Sequence, residues 1–204
     1  MTFSFPADST GVAPGQYCAV TAFTVYPRSK GHIHITGPDP NDPADFYTGF
    51  FSDKNSVDLK KHRWTYKKQR EILRRMGIFR GEYKSFHPAF PDASKAAIAD
   101  EKLDGQLSDI KDIEYSAEDD AIIDKFSREN VGSTWHSLGT CKMAPREKNG
   151  VVDPDLNVYG VEGLKLADLS IAPKNVAANT ANTALVIGEK AADIIIKELG
   201  LGRQ

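Results

Sequence analysis

The chain has 204 residues, a net charge of −2 and 40% apolar residues, which is the composition of an ordinary globular protein. This charge gives no general electrostatic reason to expect a nucleic-acid or membrane partner, and no apolar run reaches the roughly 18–20 residues of a transmembrane helix. Two cysteines, Cys18 and Cys141, cannot form a disulfide framework, which favours a reducing or organellar interior.

The first elements predicted along the chain are a β-hairpin and a basic helix. Residues 16–36 are rich in β-branched and aromatic residues on both sides of "RSKG", which predicts two antiparallel strands joined by that turn. Residues 57–76 have the spacing of an amphipathic helix, with one apolar face formed by Val57, Trp64, Ile72, Leu73 and Met76. Eight Lys and Arg residues between positions 58 and 75 are interpreted as a solvated helix face and not as a nucleic-acid site, because the whole chain is slightly acidic.

Connecting structure, a second helix and a short strand are predicted next. Residues 86–116 are punctuated by Pro, Asp and Gly and are expected to connect larger elements. Ser116 opens the capping-box pattern "SAED", which predicts a helix that runs to about Glu129. The apolar run Leu164–Leu169 predicts a short strand that is closed by a proline.

The segment "NTANTALVIGEKAADIIIKELGLG" has the strongest helical pattern, and the glycines at its end, Gly200 and Gly202, are expected to terminate the helix. Asn179, just before the apolar part, is either the N-cap of this helix or a functional residue. The unpaired N–H groups and the positive dipole end of such a helix favour developing negative charge. Gly188 predicts close approach to a neighbouring strand or a cofactor.

The stretch "NVGSTWHSLGTCKM" contains the residues best suited to chemistry. His136 is a candidate general base, because an imidazole can accept and return a proton near neutral pH, and the alternative is a structural histidine in the core. Cys141 with His136 could bind a metal or form a nucleophilic pair, but no second ligand pair supports a metal site. His32 and His34 share one strand face and could bind a metal only adventitiously, so no metal is expected.

Several long motifs, in order, resemble the C-terminal signature of the glucose–methanol–choline (GMC) flavin oxidoreductases, and within that family the fungal alcohol oxidases. They are "WHSLGTCKM", "GVVDPDLNVYGVEGLKLADLSIAP" and "NTANTALVIGEKAA", preceded by "YPRSKGHIHITGPDPNDPADFYTGF", "YKKQREILRRM" and "HPAFP". The resemblance implies that His136 is the catalytic base, that Asn179 is the second catalytic residue, and that Trp135 flanks the substrate. It also implies cofactor contacts for four residues of the C-terminal region: Asp168, Leu169, Thr180 and Ala181.

This resemblance implies an α/β fold of mixed α+β type in two parts. Residues 1–130 would form part of an antiparallel-sheet substrate domain with covering helices, and residues 131–204 would complete an FAD-binding Rossmann-like domain. The expected cofactor is FAD, and the expected substrates are a small primary alcohol and dioxygen, converted to an aldehyde and hydrogen peroxide. A homo-oligomer is expected for the complete enzyme.

The sequence contains no G-x-G-x-x-G after a strand and no P-loop, so the usual phosphate anchor of a dinucleotide lies outside it. We therefore expect the C-terminal part of such an enzyme, whose N-terminal FAD-binding portion is missing. An incomplete fragment, a partner subunit and a dehydrogenase with another electron acceptor remain alternatives. Neither a secretory signal nor a serine-lysine-leucine address is seen, and a peroxisomal or cytoplasmic location is expected.

Overall fold

The computed structural model describes residues 12, 14–98 and 110–202. They belong to two compact units, the first formed by residues up to 31 together with 48–134, and the second by residues 32–47 together with 135 onwards. The fold is mixed α/β with a small antiparallel sheet, which confirms the expected class. No helix in the described part of the chain has the length and apolar character needed to cross a bilayer.

Two helices dominate the first unit. Helix α1 spans Val57–Arg74 and helix α2 spans Ala117–Asn130, and the two pack against each other. Both helices confirm the sequence prediction, and α2 begins at the capping box expected at Ser116, whose side chain accepts from the Asp119 N–H while Asp119 accepts in return. Between them, the described parts of residues 86–116 contain no α-helix, as expected, and residues 99–109 lie outside the description.

The buried face of α1 differs from the predicted one. Trp64 is 62% exposed and Ile72 is 54% exposed, whereas most of the buried positions of the helix are polar or charged. The buried residues are Asp58, Leu59, His62, Tyr66, Gln69, Arg70 and Glu71. The apolar-spacing prediction was wrong because the polar side chains find partners inside the unit: Asp58 accepts two backbone N–H groups, and Gln69 donates to a carbonyl at 2.7 Å.

Most basic residues of α1 are paired with carboxylates of the same unit. Arg63 binds Asp124 through two nitrogens and also binds Asp120 at 3.0 Å. Arg70, which is almost fully buried, makes a two-nitrogen ion pair with Glu82 at 2.6 and 2.7 Å. The predicted solvated face is therefore in large part an ion-pair network, and these cations are already neutralised.

The hairpin predicted over residues 16–36 was wrong in its pairing. Strand β1, His32–His34, pairs antiparallel with strand β2, Asp45–Tyr47, across the Pro/Asp loop and not across "RSKG". That loop closes on itself, because the Asp39 carboxylate accepts the backbone N–H of Asn41 at 2.9 Å and Thr36 donates to a carbonyl at 2.9 Å. Among described residues, 16–26 contain no strand beyond one bridged residue.

The second unit is built around helix α3, Ala181–Glu198, as the sequence predicted, and Gly200 with φ of +66° follows its end. Its core consists of five buried side chains, Val152, Leu156, Ile171, Ala191 and Ile194. The strand predicted over Leu164–Leu169 is absent from the described residues of this unit. Lys165 makes only an isolated bridge to Asn157, and a 3₁₀ turn occupies Leu169–Ile171.

Gly188 does not make the close approach to a neighbouring strand that the sequence suggested, and close approach to a cofactor stays a prediction. A Cβ atom placed at this position would meet no described atom within 4 Å. The helical glycine therefore has no packing explanation within the described part of the chain.

Candidate active site

His136 and Asn179 are in direct contact. The Nε2 atom of His136 lies 2.9 Å from Oδ1 of Asn179, and the two residues are 43 positions apart in the chain. With the amide oxygen facing the ring, Nε2 is the donor, and with the amide turned over its N–H donates to an unprotonated Nε2, so the direction of this bond depends on the imidazole tautomer. Asn179 is not the N-cap that the sequence allowed as an alternative, because α3 begins at Ala181. Thr180 occupies that position.

The start of α3, beside this pair, carries no side-chain cap. Thr180 is buried and makes no capping hydrogen bond through its side chain, Ala181 is the exposed first residue, and the first turn contains no acidic residue. The first N–H groups of the helix and its positive dipole end thus remain available to a negatively charged group.

Trp135 precedes His136 with an unusual backbone. Its φ of +58° lies in the left-handed region, which a bulky residue adopts only when its surroundings impose it. Its side chain is 81% exposed. The expected substrate-flanking residue therefore lies next to the candidate base in sequence, with its ring outside the core of the second unit.

Asp168 and Leu169 lie at the 3₁₀ turn Leu169–Ile171. The Asp168 carboxylate accepts the Ser170 N–H at 2.7 Å, and hydrogen bonds from Ser170 lower the pKa of Asp168. The carbonyl of Leu169 accepts the N–H of Gly139 at 3.2 Å, which joins this turn to the loop that carries His136. The structure thus connects these two predicted cofactor contacts to the His136 loop through main-chain atoms.

Other candidates from the sequence stand apart from this arrangement. Among the described residues, no group of three or more His, Cys, Asp or Glu side chains is placed to hold a metal ion. His32 and His34 stack at 5.1 Å, and His32 lies 3.3 Å from Asp45. Cys141 is a half-buried free thiol. A cavity of about 690 Å³ lies in the first unit and is lined by none of the predicted site residues.

Sequence reasoning missed the importance of Gly139. Its φ is +81°, and a Cβ at this position would lie only 3.0 Å from the carbonyl oxygen of Ala172. A glycine three positions after the candidate base was the available signal, because glycine is the residue that permits both positive φ and close backbone approach.

The family model for the C-terminal domain of GMC oxidoreductases matches residues 27–188, well over half of the chain. The chain belongs to the GMC oxidoreductase family. This finding confirms the resemblance seen in the motifs, and FAD is the cofactor of the family.

The GMC chain is similar to known alcohol oxidases over nearly its whole length. It is 39% identical to alcohol oxidase 1 of Komagataella phaffii and 40% identical to the alcohol oxidase of Candida boidinii, and each match covers 96% of this chain. A shorter match, 46% identical over 85 residues, covers 41% of this chain and 16% of the oxygen-dependent choline dehydrogenase of Brucella ovis. The chain spans only 36% of the length of the two alcohol oxidases.

Solved structures of GMC-type enzymes share the fold. A fungal aryl-alcohol oxidase superposes with a TM-score of 0.60 at 27% identity, covering 86% of this chain and 24% of that one. An FAD-dependent oxidoreductase from Chaetomium thermophilum gives a TM-score of 0.60 at 26% identity, covering 85% of this chain and 26% of that one.

Proposed function

We propose that this chain is the C-terminal part of an FAD-dependent alcohol oxidase. The complete enzyme would oxidise short-chain primary alcohols, such as methanol, to aldehydes, with dioxygen as acceptor and hydrogen peroxide as product. The observation that carries the proposal is the 2.9 Å contact between His136 and Asn179 beside the uncapped start of α3. It supports the proposal because an imidazole, a hydrogen-bonding amide and an uncapped helix start lie together.

Four residues of the second unit would contact one side of FAD. Thr180 and Ala181 offer the N–H groups of an uncapped helix start, and Asp168 and Leu169 would contribute further contacts. Bound FAD would supply the acceptor for the hydride that leaves the alcohol carbon, and dioxygen would then take up the electrons. The 204 residues hold no glycine-rich phosphate motif, so the phosphate anchor of FAD would come from residues other than these.

His136 would remove the hydroxyl proton of the alcohol. An oxygen atom can lie within hydrogen-bond distance of both His136 and Asn179, because their polar atoms are only 2.9 Å apart. To accept a proton at Nε2, the imidazole must carry its own proton at Nδ1. When the side-chain amide of Asn179 is flipped, its N–H group, and not its oxygen, faces the alcohol oxygen. By donating this hydrogen bond, Asn179 would stabilise the developing alkoxide while His136 holds the proton.

Trp135 supports a small substrate. An indole next to the base would occupy space beside the reacting carbon and exclude longer alkyl chains. A homo-oligomeric complete enzyme and a peroxisomal or cytoplasmic location belong to the same proposal, and they rest on the likeness to alcohol oxidases.

A second candidate is a catalytically incomplete fragment or partner subunit. The observation that leaves this candidate open is the lack of a glycine-rich phosphate motif in the 204 residues. A dehydrogenase with a non-oxygen acceptor is a further alternative within the family. Oxygen consumption during turnover distinguishes an oxidase from a dehydrogenase.

The test is His136→Ala in a flavin-loaded enzyme that contains this chain, with His32→Ala as a control of the same residue type. Anaerobic rapid mixing with methanol follows the loss of flavin absorbance. We expect reduction to slow by at least about 10²-fold in His136→Ala, the low end for general acid–base catalysis, and to stay unchanged in the control. Wild-type reduction by a folded, flavin-loaded His136→Ala enzyme would refute the role of His136.

A further inference from the structure

Main-chain hydrogen bonds join the loop that carries His136 to the 3₁₀ turn Leu169–Ile171. Three alternate N–H groups of the loop donate to three successive carbonyls of the 3₁₀ turn Leu169–Ile171. They are Gly139 to Leu169 (3.2 Å), Cys141 to Ser170 (2.9 Å) and Met143 to Ile171 (2.7 Å). The position of the loop therefore depends on the position of this turn.

The turn is fixed at two points. Ile171 is buried in the core of the second unit, where it packs with residues that include Ile194 of α3. At the other end, Asp168 caps the turn, because its carboxylate accepts the Ser170 N–H at 2.7 Å and its carbonyl accepts the Ile171 N–H at 3.2 Å. Removal of the Asp168 carboxylate would leave the exposed end of the turn without its side-chain cap.

Very little space separates the loop from this turn. Gly139 approaches the residue that follows the turn so closely that an added Cβ would lie 3.0 Å from the Ala172 carbonyl oxygen. A shift of the turn toward the loop would therefore displace Gly139, which is only three residues from His136.

Asn179 is joined to the same turn through the chain that follows it. The chain leaves the turn at Ala172 and reaches Asn179 just before the buried N-cap residue Thr180. Both partners of the His136–Asn179 hydrogen bond are thus connected to Leu169–Ile171, one through a hydrogen-bonded loop and the other through seven residues of chain.

We infer that Asp168 is a positioning residue for the His136–Asn179 pair and acts through the turn Leu169–Ile171. This role is separate from the cofactor contact that the family resemblance implies for Asp168. Its catalytic consequence rests on the proposed function, but the geometric role does not, because it requires neither flavin nor alcohol.

The test uses NMR on the 204-residue chain with labelled His and Asn side chains. The wild type should show a through-space contact between the Asn179 amide and the His136 ring. We expect Asp168→Ala to lose that contact and Asp168→Asn to keep it, because an amide oxygen still accepts the Ser170 N–H. The matched control is Asp153→Ala, which removes a carboxylate that accepts two N–H groups of another turn in the same unit.

Three results would overturn the inference. They are an unchanged contact in Asp168→Ala, its loss in a folded Asp168→Asn chain, and equal loss in Asp153→Ala. The Asp168→Asn result decides the question even where Asp168→Ala does not fold. Loss of the contact in Asp168→Ala together with normal flavin reduction by His136→Ala would support the positioning role and refute the proposed function.

Discussion

The imidazole of His136 and the amide of Asn179 form a hydrogen bond of 2.9 Å across 43 residues of chain. The histidine belongs to an irregular loop, and the asparagine precedes Thr180, the N-cap residue of α3. Their contact joins two separate motifs of the sequence into one candidate site. A substitution of either residue should therefore change the hydrogen bonding and position of the other.

Asn179→Asp should slow flavin reduction by the alcohol by about 10²–10³-fold in the flavin-loaded enzyme, the range reported for loss of one donor to a developing oxyanion. The substitution keeps the shape of the side chain but replaces an N–H donor with a carboxylate, which repels the alkoxide. Anaerobic stopped-flow absorbance measures the rate. Asn175→Asp adds the same charge four residues earlier and should have little effect, and an equal loss in both variants would contradict a specific role for Asn179.

Trp135→Ala should raise kcat/KM for butanol relative to methanol, because it removes an indole that directly precedes the candidate base in the chain and is proposed to flank the substrate. Alanine retains a Cβ, so the backbone strain at φ of +58° is unchanged and the comparison isolates the ring. The only other tryptophan, Trp64, is exposed on α1, and Trp64→Ala should leave the ratio as it is. An unchanged ratio in Trp135→Ala would remove the main support for a short-chain substrate.

Gly139→Ala should lower the free energy of unfolding by roughly 2–5 kcal/mol, from the strain of a positive φ and the overlap with the Ala172 carbonyl. Gly163 has a similar φ of +73° but nothing within 4 Å of an added Cβ. Gly163→Ala should therefore cost only the backbone strain, about 1–2 kcal/mol. Urea unfolding of the two variants compares them, and equal losses would show that the loop can move away from the turn.

The isolated chain should bind FAD weakly, with a Kd in the micromolar range or above. The physical reason is that the contacts proposed for the helix start of α3 involve only one part of FAD, while the usual pyrophosphate anchor is not in the sequence. Titration of flavin fluorescence measures the affinity, with the heat-unfolded chain as the control for nonspecific quenching. Sub-micromolar binding would show that this chain holds the cofactor without a glycine-rich loop.

Acid should destabilise the first unit between about pH 6.5 and pH 4. Burial lowers the pKa of both His62 and His87 from 6.5 to about 4. At a pH between these two values, the histidines are protonated in the unfolded chain but neutral in the folded unit, so protonation favours unfolding. Their contribution to stability is complete above pH 6.5 and falls as the pH decreases, by up to roughly 3 kcal/mol for each histidine.

Uncharged replacements test this pH dependence. His62→Gln keeps an acceptor or donor for Thr24, and His87→Asn keeps an acceptor near the Tyr66 hydroxyl, without a titrating ring. The double variant should show a flatter dependence of unfolding free energy on pH between pH 7 and pH 5. An unchanged slope would mean that other groups cause the acid sensitivity.

The sequence predicted the helices better than the strands. Helices α1, α2 and α3 carry their signals locally, as the capping box at Ser116 and the glycine after α3 show. Strand pairing depends on distant partners, which is why His32–His34 pairs with Asp45–Tyr47 and not with the preceding segment. The buried face of α1 could not be predicted either, because polar residues such as Arg70 are buried by partners that lie far away in the sequence.

The candidate site could be predicted as a set of residues but not as a geometry. Family motifs indicated His136 and Asn179, and the structure places them in contact. The local pattern could not reveal that Asn179 is not the N-cap, since that depends on where α3 begins. The link from Asp168 through Ser170 to the His136 loop could not be predicted either. It is made by main-chain groups, which almost every residue type has, so the sequence does not indicate which of them pair.

The buried polar face of α1 also affects how the stability of the first unit changes with temperature. The heat capacity of unfolding rises with the apolar surface that becomes exposed and falls with the polar surface. Helix α1 keeps Trp64 and Ile72 in solvent while it buries charged and amide groups such as Arg70 and Gln69. Unfolding of this unit therefore carries a smaller heat-capacity increment than an apolar core of equal size, and its stability changes more gradually on warming and on cooling.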